Sequence, residues 1–274
     1  VVKPQGDTPT VERLSAALGI TPVLANLLVQ RGIDTVEKAD KFFNPSLADL
    51  HDPFLMKDMD KAVERIGQAV RNGEKIMVYG DYDVDGTTAV ALVYKFLRQI
   101  GHKNLLFYIP DRYTEGYGIS IKGIDYAARK GVGLVITLDC GIKATEKIVY
   151  AKQKGVDFII CDHHLPADEI PKAVAVLDPK RPDCNYPFDE LSGCGVGFKL
   201  VQAYAQKNGI PFEKITHLLD LLVVSIASDI VPLTGENRVL AHFGLEKLNS
   251  SPSEGLASII KICGLDTHTI TIDD

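Results

Sequence analysis

Close cysteine pairs, an excess of basic residues and apolar runs of membrane-spanning length are all missing from this chain, and each absence removes a class of function. Its five cysteines, Cys140, Cys161, Cys184, Cys194 and Cys263, form no C-x-x-C pair. Neither a thiolate zinc cluster nor a disulfide framework is indicated, and reduced, mostly buried thiols are expected. With 30 Lys and Arg against 36 Asp and Glu, the net charge is −6, which argues against a protein that coats nucleic acid through a general basic face. The apolar runs are too short for a membrane span, and the N-terminus lacks the charged, apolar and small-residue pattern of a secretory leader. A soluble cytoplasmic protein is expected. There is no internal repeat and no low-complexity tract. What is present is a chain of 274 residues with 46% apolar content, enough for a sizeable core in one large domain or two unequal ones.

The most informative stretch is K-I-M-V-Y-G-D-Y-D-V-D-G, in which Asp81, Asp83 and Asp85 follow an apolar strand and precede a glycine and a helix. Three carboxylates so close repel one another, and a divalent cation would neutralise that repulsion. A turn of solvated Asp and Gly is the plainer account, since Asp supports turns through local hydrogen bonds. Two further apolar runs end the same way. Residues 133–138 lead to Asp139, and residues 156–161 lead to Asp162, His163 and His164. A long apolar segment, 221–228, delivers Asp229. If the runs are parallel strands, these polar residues gather on one rim. Carboxylates with imidazole suit Mn²⁺ or Mg²⁺ better than a thiolate zinc site.

The pattern along the chain predicts α/β architecture: a doubly wound, mostly parallel sheet flanked by helices, preceded by a small helical N-terminal segment. In that segment Val11, Leu14 and Leu18, then Val23, Leu24, Leu27 and Leu28, recur at helical spacing, with a break at Gly19 to Pro22. Helices are expected over 57–72, 87–100, 121–130, 144–154, 196–208, 212–228 and 239–248. Strands are expected near Ile76, over 105–109, near Leu134, near Phe158 and over 173–177, with a Pro-rich loop over 178–188. The expected division is 1–50, a helical segment; 51–250, the catalytic domain; and 251–274, the start of a linker.

Taken in order, V-Y-G-D-Y-D-V-D-G-T-T, T-L-D-C-G, C-D-H-H and S-I-A-S-D-I-V-P-L resemble the four motifs of the DHH phosphoesterase superfamily. Within it, the stretches 109–120, 191–200 and 231–238 are similar to the RecJ family of single-stranded-DNA exonucleases. The resemblance implies a metal-dependent enzyme that removes nucleotides from the 5′ end of single-stranded DNA in repair and recombination, using two ions of Mn²⁺ or Mg²⁺. By resemblance the metal ligands are Asp81, Asp83, Asp85, Asp139, His163 and Asp229, with Asp139 bridging and Asp81 either ligating or supporting. Relatives often place a His where this chain has Tyr79. Asp162 is expected to orient a histidine and His164 to contact the phosphate or protonate the leaving group. Cys161 is the less favoured ligand, facing the opposite side of its strand.

Arg112, Tyr113, Gly116, Tyr117 and Gly118 are expected to bind substrate, Arg by forking onto phosphate and Tyr by stacking on a base. Gly195 and its neighbours would line the substrate path with helix N-terminal amides, or else serve tight packing. Arg238 would bind a phosphate, or else form a surface ion pair. Single-stranded DNA is the expected partner, with a helicase or a single-stranded-DNA-binding protein beside it, no membrane, and a monomeric state. RecJ-like proteins continue into a glycine- and histidine-rich domain and an OB-type domain, so the chain is expected to be a catalytic core. Other readings of the same chemistry are an oligonucleotide or cyclic-dinucleotide phosphodiesterase and a manganese pyrophosphatase; a reading from another class is a non-catalytic DHH scaffold.

Overall fold

Five short apolar runs, four of them buried on both faces and one, at a sheet edge, partly exposed, set the architecture. They are β1 (Ile76–Gly80), β2 (Leu105–Tyr108), β3 (Leu134–Leu138), β4 (Asp157–Cys161) and β5 (Ala175–Leu177). In the computed structural model, which describes residues 4–266 and 268–274, they form one parallel sheet in the order β2-β1-β3-β4-β5. Met77, Tyr79, Val135, Phe158, Ile160 and Val176 share one core with Ile124, Ala127, Ile148 and Ala151. The last four belong to α6 (Ile121–Arg129) and α7 (Thr145–Gln153). On the other face lie α4 (Met59–Arg71), α5 (Val84–Gln99) and α8 (Gly193–Lys207), backed by α9 (Leu219–Ser228) and α10 (Gly235–Ser250). Each fully buried aliphatic side chain in these layers stabilises by about 1.5–3 kcal/mol.

The register matters more than the layers. Gly80 pairs with Leu138, Leu138 with Cys161, and Cys161 with Leu177. The four strands therefore end in line, and the next residue of each is an aspartate: Asp81, Asp139, Asp162 and Asp178. Because β2 lies on one side of β1 and β3 on the other, strand order reverses between β1 and β3. Open α/β sheets bind ligands at the carboxyl ends beside such a reversal.

Two compact units divide the chain, residues 1–50 and 51–274. The first holds α1 (Thr8–Leu18), α2 (Pro22–Val29) and α3 (Val36–Phe43). Asp7, Thr21 and Thr35 cap these helices by accepting backbone N–H bonds, each worth about 1 kcal/mol. Its core is Val11, Leu14, Ala25 and Leu28. Val23, Leu24 and Leu27 had been expected on the apolar face and are instead exposed, because Ala25 and Leu28 are the residues of α2 that face α1.

In the second unit, α5 and α8 each begin three residues before the sequence pattern predicts, at Val84 and Gly193 rather than at 87 and 196. Asp83 and Ser192 are the caps, accepting from the N–H groups of Gly86 and Gly195. The expected long helix over 212–228 is broken. Short 3-10 turns at Phe212–Lys214 and Thr216–Leu218 precede α9. A further helix, α11 (Glu254–Cys263), lies in the expected linker region. Lys199 of α8 is fully buried, and its Nζ donates to the His51 carbonyl at 2.7 Å and to Glu236 Oε1 at 2.9 Å. Glu236 also accepts from Tyr186 Oη at 2.6 Å and His51 N at 3.0 Å, so the two charges are mutually satisfied. Among the described residues no single helix is long and apolar enough to cross a membrane.

Candidate metal centre

The aspartates after β1 are sorted by what surrounds them. Asp81 is buried, and its Oδ1 makes no hydrogen bond. Asp83 is exposed at the N-terminus of α5, with Oδ1 accepting from Gly86 N. Asp85, two residues on in the first turn of α5, is buried, and its carboxylate accepts from Gly193 N at 2.6 Å, Cys194 N at 2.8 Å and Ser225 Oγ at 2.7 Å. The amides expected to line a substrate path are thus used to hold Asp85. Gly195 departs from that expectation in the same way: it is buried, and its N–H is taken by Ser192. Gly193 is needed for a second reason, since a Cβ there would lie 2.5 Å from Asp139 Cβ.

Asp139 turns into the centre on a backbone with φ +59°, a conformation that non-glycine residues other than Asn and Asp rarely take. His163 Nε2 lies 3.1 Å from Asp139 Oδ1, 3.6 Å from Asp229 Oδ2 and 3.7 Å from Asp85 Oδ2. Asp139 joins Asp81 and Asp83 in one set of mutually close donor atoms, and His163 joins Asp85 and Asp229 in another. All six residues read as ligands from the sequence are therefore brought together. Burial, then the neighbouring Asp85, Asp83 and Asp162, pushes the Asp139 carboxyl up to about 10. Burial likewise raises Asp229 and Asp81.

Whether a divalent cation suits this place is decided by the donors that nothing else uses. Asp81 Oδ1, Asp139 Oδ1 and both ring nitrogens of His163 are buried without a hydrogen-bond partner. Such orphaned groups each cost about 1–3 kcal/mol. Oxygen and imidazole lone pairs converging at this separation fit a hard or borderline divalent ion. The thiols do not join them: among the described residues no cysteine belongs to these sets of mutually close donor atoms, and burial pushes Cys140 and Cys161 up.

Beside the carboxylates stands a second arrangement. Asp162 is buried and accepts from Ile142 N at 2.8 Å, from His163 N at 2.8 Å and from His164 N at 3.2 Å, while His164 Nδ1 lies 2.7 Å from its Oδ1. Burial alone would raise Asp162; the His164 and backbone bonds outweigh it and hold the carboxylate low. In return, the Asp162 bond raises the pKa of His164 against the effect of its partial burial. Tyr117 Oη donates to the Asp139 carbonyl at 3.2 Å and lies 3.2 Å from His164 Nδ1.

The loop carrying Arg112 to Gly118 is tied down by Tyr79, whose hydroxyl donates to the Gly118 carbonyl and accepts from Ser120 N. The residue standing where relatives often place a His thus anchors this loop. Arg112 stacks over Tyr82 at 4.8 Å, beside the β1–α5 turn. Tyr113 is exposed, and Gly116 and Gly118 take positive φ. Arg238 lies in the first turn of α10, where burial lowers its pKa.

One buried acid on the same rim of the sheet was not anticipated. Asp178 follows β5, is fully buried, and has Oδ2 without a partner; burial pushes it up to about 7. Its signal was present, since residues 175–177 are another apolar run ending in an acid, but the stretch reads as the start of a Pro-rich loop.

A profile of the DHH family, N-terminal domain, matches residues 75–226. The single-stranded-DNA-specific exonuclease RecJ of Bacillus subtilis is 45% identical over 260 residues, which is 95% of this chain and 32% of that protein. RecJ of Escherichia coli K12 is 30% identical over 266 residues, covering 93% of this chain and 45% of its own length. The chain thus spans about a third to under half of these relatives. Among solved structures, an exonuclease RecJ bound to manganese superimposes with a TM-score of 0.73 at 30% identity, over 83% of this chain and 56% of that one. RecJ from Thermus thermophilus in complex with Mn²⁺ gives 0.79 at 27% identity, over 97% and 37%.

Proposed function

The chain belongs to the DHH family, and from that premise we propose that it is a metal-dependent exonuclease that removes mononucleotides from the 5′ end of single-stranded DNA. The observation that carries this reading is the convergence of Asp81, Asp83, Asp85, Asp139, His163 and Asp229, with buried donor atoms among them that no protein group satisfies. Similarity to manganese- and magnesium-bound RecJ structures supports Mn²⁺ or Mg²⁺ as the ions. Held by these six residues, two such ions would neutralise the phosphodiester oxygens and ionise a water.

The remaining work falls to neighbouring side chains. His164, whose pKa the Asp162 bond raises, is suited to donate a proton to the departing sugar oxygen. Asp162 acts by fixing the ring and its charge, and Tyr117 Oη stands beside the same ring nitrogen. Arg112, held over Tyr82 close to the β1–α5 turn, offers a planar fork to a phosphate, and exposed Tyr113 offers a face for a base. Arg238 is assigned a phosphate contact. Gly195 is left out, because its amide is already taken. The reading extends to a monomer working in the cytoplasm beside a helicase or a single-stranded-DNA-binding protein, in repair and recombination.

The test is digestion of end-labelled single strands, duplexes and short RNAs with Mn²⁺ or Mg²⁺, comparing wild type with Asp139→Asn. Asn tolerates the positive φ and removes the charge without straining the backbone. Losing a ligand that supplies several kcal/mol of transition-state stabilisation should slow hydrolysis by on the order of a thousandfold. Equal rates in both proteins would reject the assignment. Rapid pyrophosphate hydrolysis with no action on DNA would favour the pyrophosphatase reading.

A further inference from the structure

The outer face of α5 carries a feature that the metal centre does not use. Thr87, Ala91, Tyr94, Lys95 and Arg98 recur at steps of four, three, one and three residues, so they form one stripe along the helix. The stripe starts at the metal end, where Thr87 Oγ1 donates to the Asp83 carbonyl at 2.7 Å, and runs ~16 Å to Arg98. Along it lie two hollows. One of about 700 Å³ is lined by Thr87, Lys95, His217 and Lys247, among others, and is closed by residues of α11. The other, of about 730 Å³, is lined by Tyr94, Lys95, Arg98, Lys214 and His217. Lys95 and His217 belong to both, so the hollows form one groove.

Its cations are gathered in one place. Elsewhere on the second unit, Lys57, Lys61, Arg65, Arg71, Lys154 and Arg181 pair with carboxylates, while Lys103, Lys143, Lys147 and Lys207 make no ion pair among the described residues. Among the described residues, Lys95, Arg98 and Lys214 make no ion pair, and Lys247 donates only to Ser251. The groove also has acids: Glu213, Glu254 and Asp220. Asp220 is buried and satisfied by Leu221 N and Ser253 N, leaving two exposed acids against four cations. In a chain of net charge −6, four unpaired cations in one groove mark a place for a polyanion. Tyr94 meets exposed Phe107 edge to face at 6.1 Å, adding an aromatic face of the kind on which bases stack.

We propose that this groove is a second binding site for single-stranded nucleic acid, in which Lys95, Arg98, Lys214 and Lys247 hold backbone phosphates of the strand away from its hydrolysed end. The inference rests on the nuclease reading. A nucleic acid strand is favoured over an acidic peptide because the groove begins at the metal end of α5 and carries an aromatic face at the other. A few nucleotides would span it.

The test measures binding of a labelled oligothymidylate of about twenty nucleotides by fluorescence anisotropy, in chelator so that nothing is hydrolysed, across a salt series. Lys95→Glu/Arg98→Glu is compared with wild type and with Lys152→Glu/Lys172→Glu, which changes the net charge equally outside the groove. The groove variant should bind about tenfold more weakly or worse, with a salt slope shallower by about one to two, while the control binds as wild type does. Lys214→Glu, on a separate segment, should weaken binding in the same direction and stands in if the double variant melts early. The proposal is overturned if wild type binds no strand, if the groove variant binds like wild type, if both double variants weaken equally, or if the groove variant loses only binding of an Asp- and Glu-rich peptide. Wild type that binds DNA but never cuts it with Mn²⁺ would remove the nuclease reading and leave the groove standing. Cutting by wild type with no loss of affinity in the groove variant would remove the groove alone.

Discussion

At the scale of single residues, the pairing of Asp162 with His164 makes a kinetic claim. A buried carboxylate held low by three backbone N–H groups and one ring nitrogen keeps its charge beside a histidine whose pKa it raises. Asp162→Asn keeps the shape and removes the charge. Supporting carboxylates of this kind are worth about 10–100-fold in activity, so kcat should fall by that order with KM little changed. Because a proton donor works only below its pKa, and the variant loses the interaction that raises it, the alkaline limb of the kcat profile should move to lower pH. An unmoved limb would show that Asp162 serves folding alone. The converging acids were legible because Asp81, Asp139 and Asp229 each end a local apolar run and Asp83 and Asp85 follow Asp81 in the same turn. What supports them was not: Asp85 is held by Gly193, Cys194 and Ser225, all more than a hundred positions away, and no local pattern encodes such a meeting.

Among the elements, the two helix starts at Val84 and Gly193 were misread for one reason. Asp83 and Ser192 each cap through the N–H three residues on, and that third residue is glycine, which reads as a loop. The early start of α8 brings its N-terminus against Asp85 and leaves Gly193 no room for a side chain. Gly193→Ala would press a methyl within 2.5 Å of Asp139 Cβ and 2.7 Å of its Cα, backbone and side chain that the sheet holds in place. Overpacking of this kind costs about 1–3 kcal/mol, and relief would displace Asp139. Gly193→Ala should therefore lower Tm and weaken Mn²⁺ binding measured by calorimetry, whereas Gly255→Ala, where an added methyl meets nothing within 4 Å, should leave Mn²⁺ binding intact. Equal Mn²⁺ affinity in both variants would refute the steric argument. The break at 212–218 was hidden because Leu218, Leu219, Leu221 and Leu222 continue an apolar rhythm that suits a helix or successive short turns alike.

Over the whole molecule, the converging acids tie folding to pH and to metal. In the metal-free protein Asp139 holds its proton up to about 10, against 3.8 as the ordinary value, and Asp229 and Asp81 are also raised. Between those limits the folded state binds more protons than the unfolded chain, so its stability falls as pH rises. A divalent cation needs the same carboxylates ionised and therefore competes with those protons. At low pH the metal-free protein should be relatively stable and Mn²⁺ should shift its Tm little. Towards alkaline pH, metal-free stability should fall and the Mn²⁺ shift should grow. At a metal concentration a hundred times Kd the added stability is about 2.7 kcal/mol, on the order of 5–10 °C for a domain of this size. Melting curves with and without Mn²⁺ from pH 5 to 9 would check this, with Asp139→Asn as reference. That variant should show a flatter pH dependence without metal and a smaller metal shift throughout. A shift that stays constant with pH, or matches wild type in the variant, would mean that the cation binds somewhere other than among these acids.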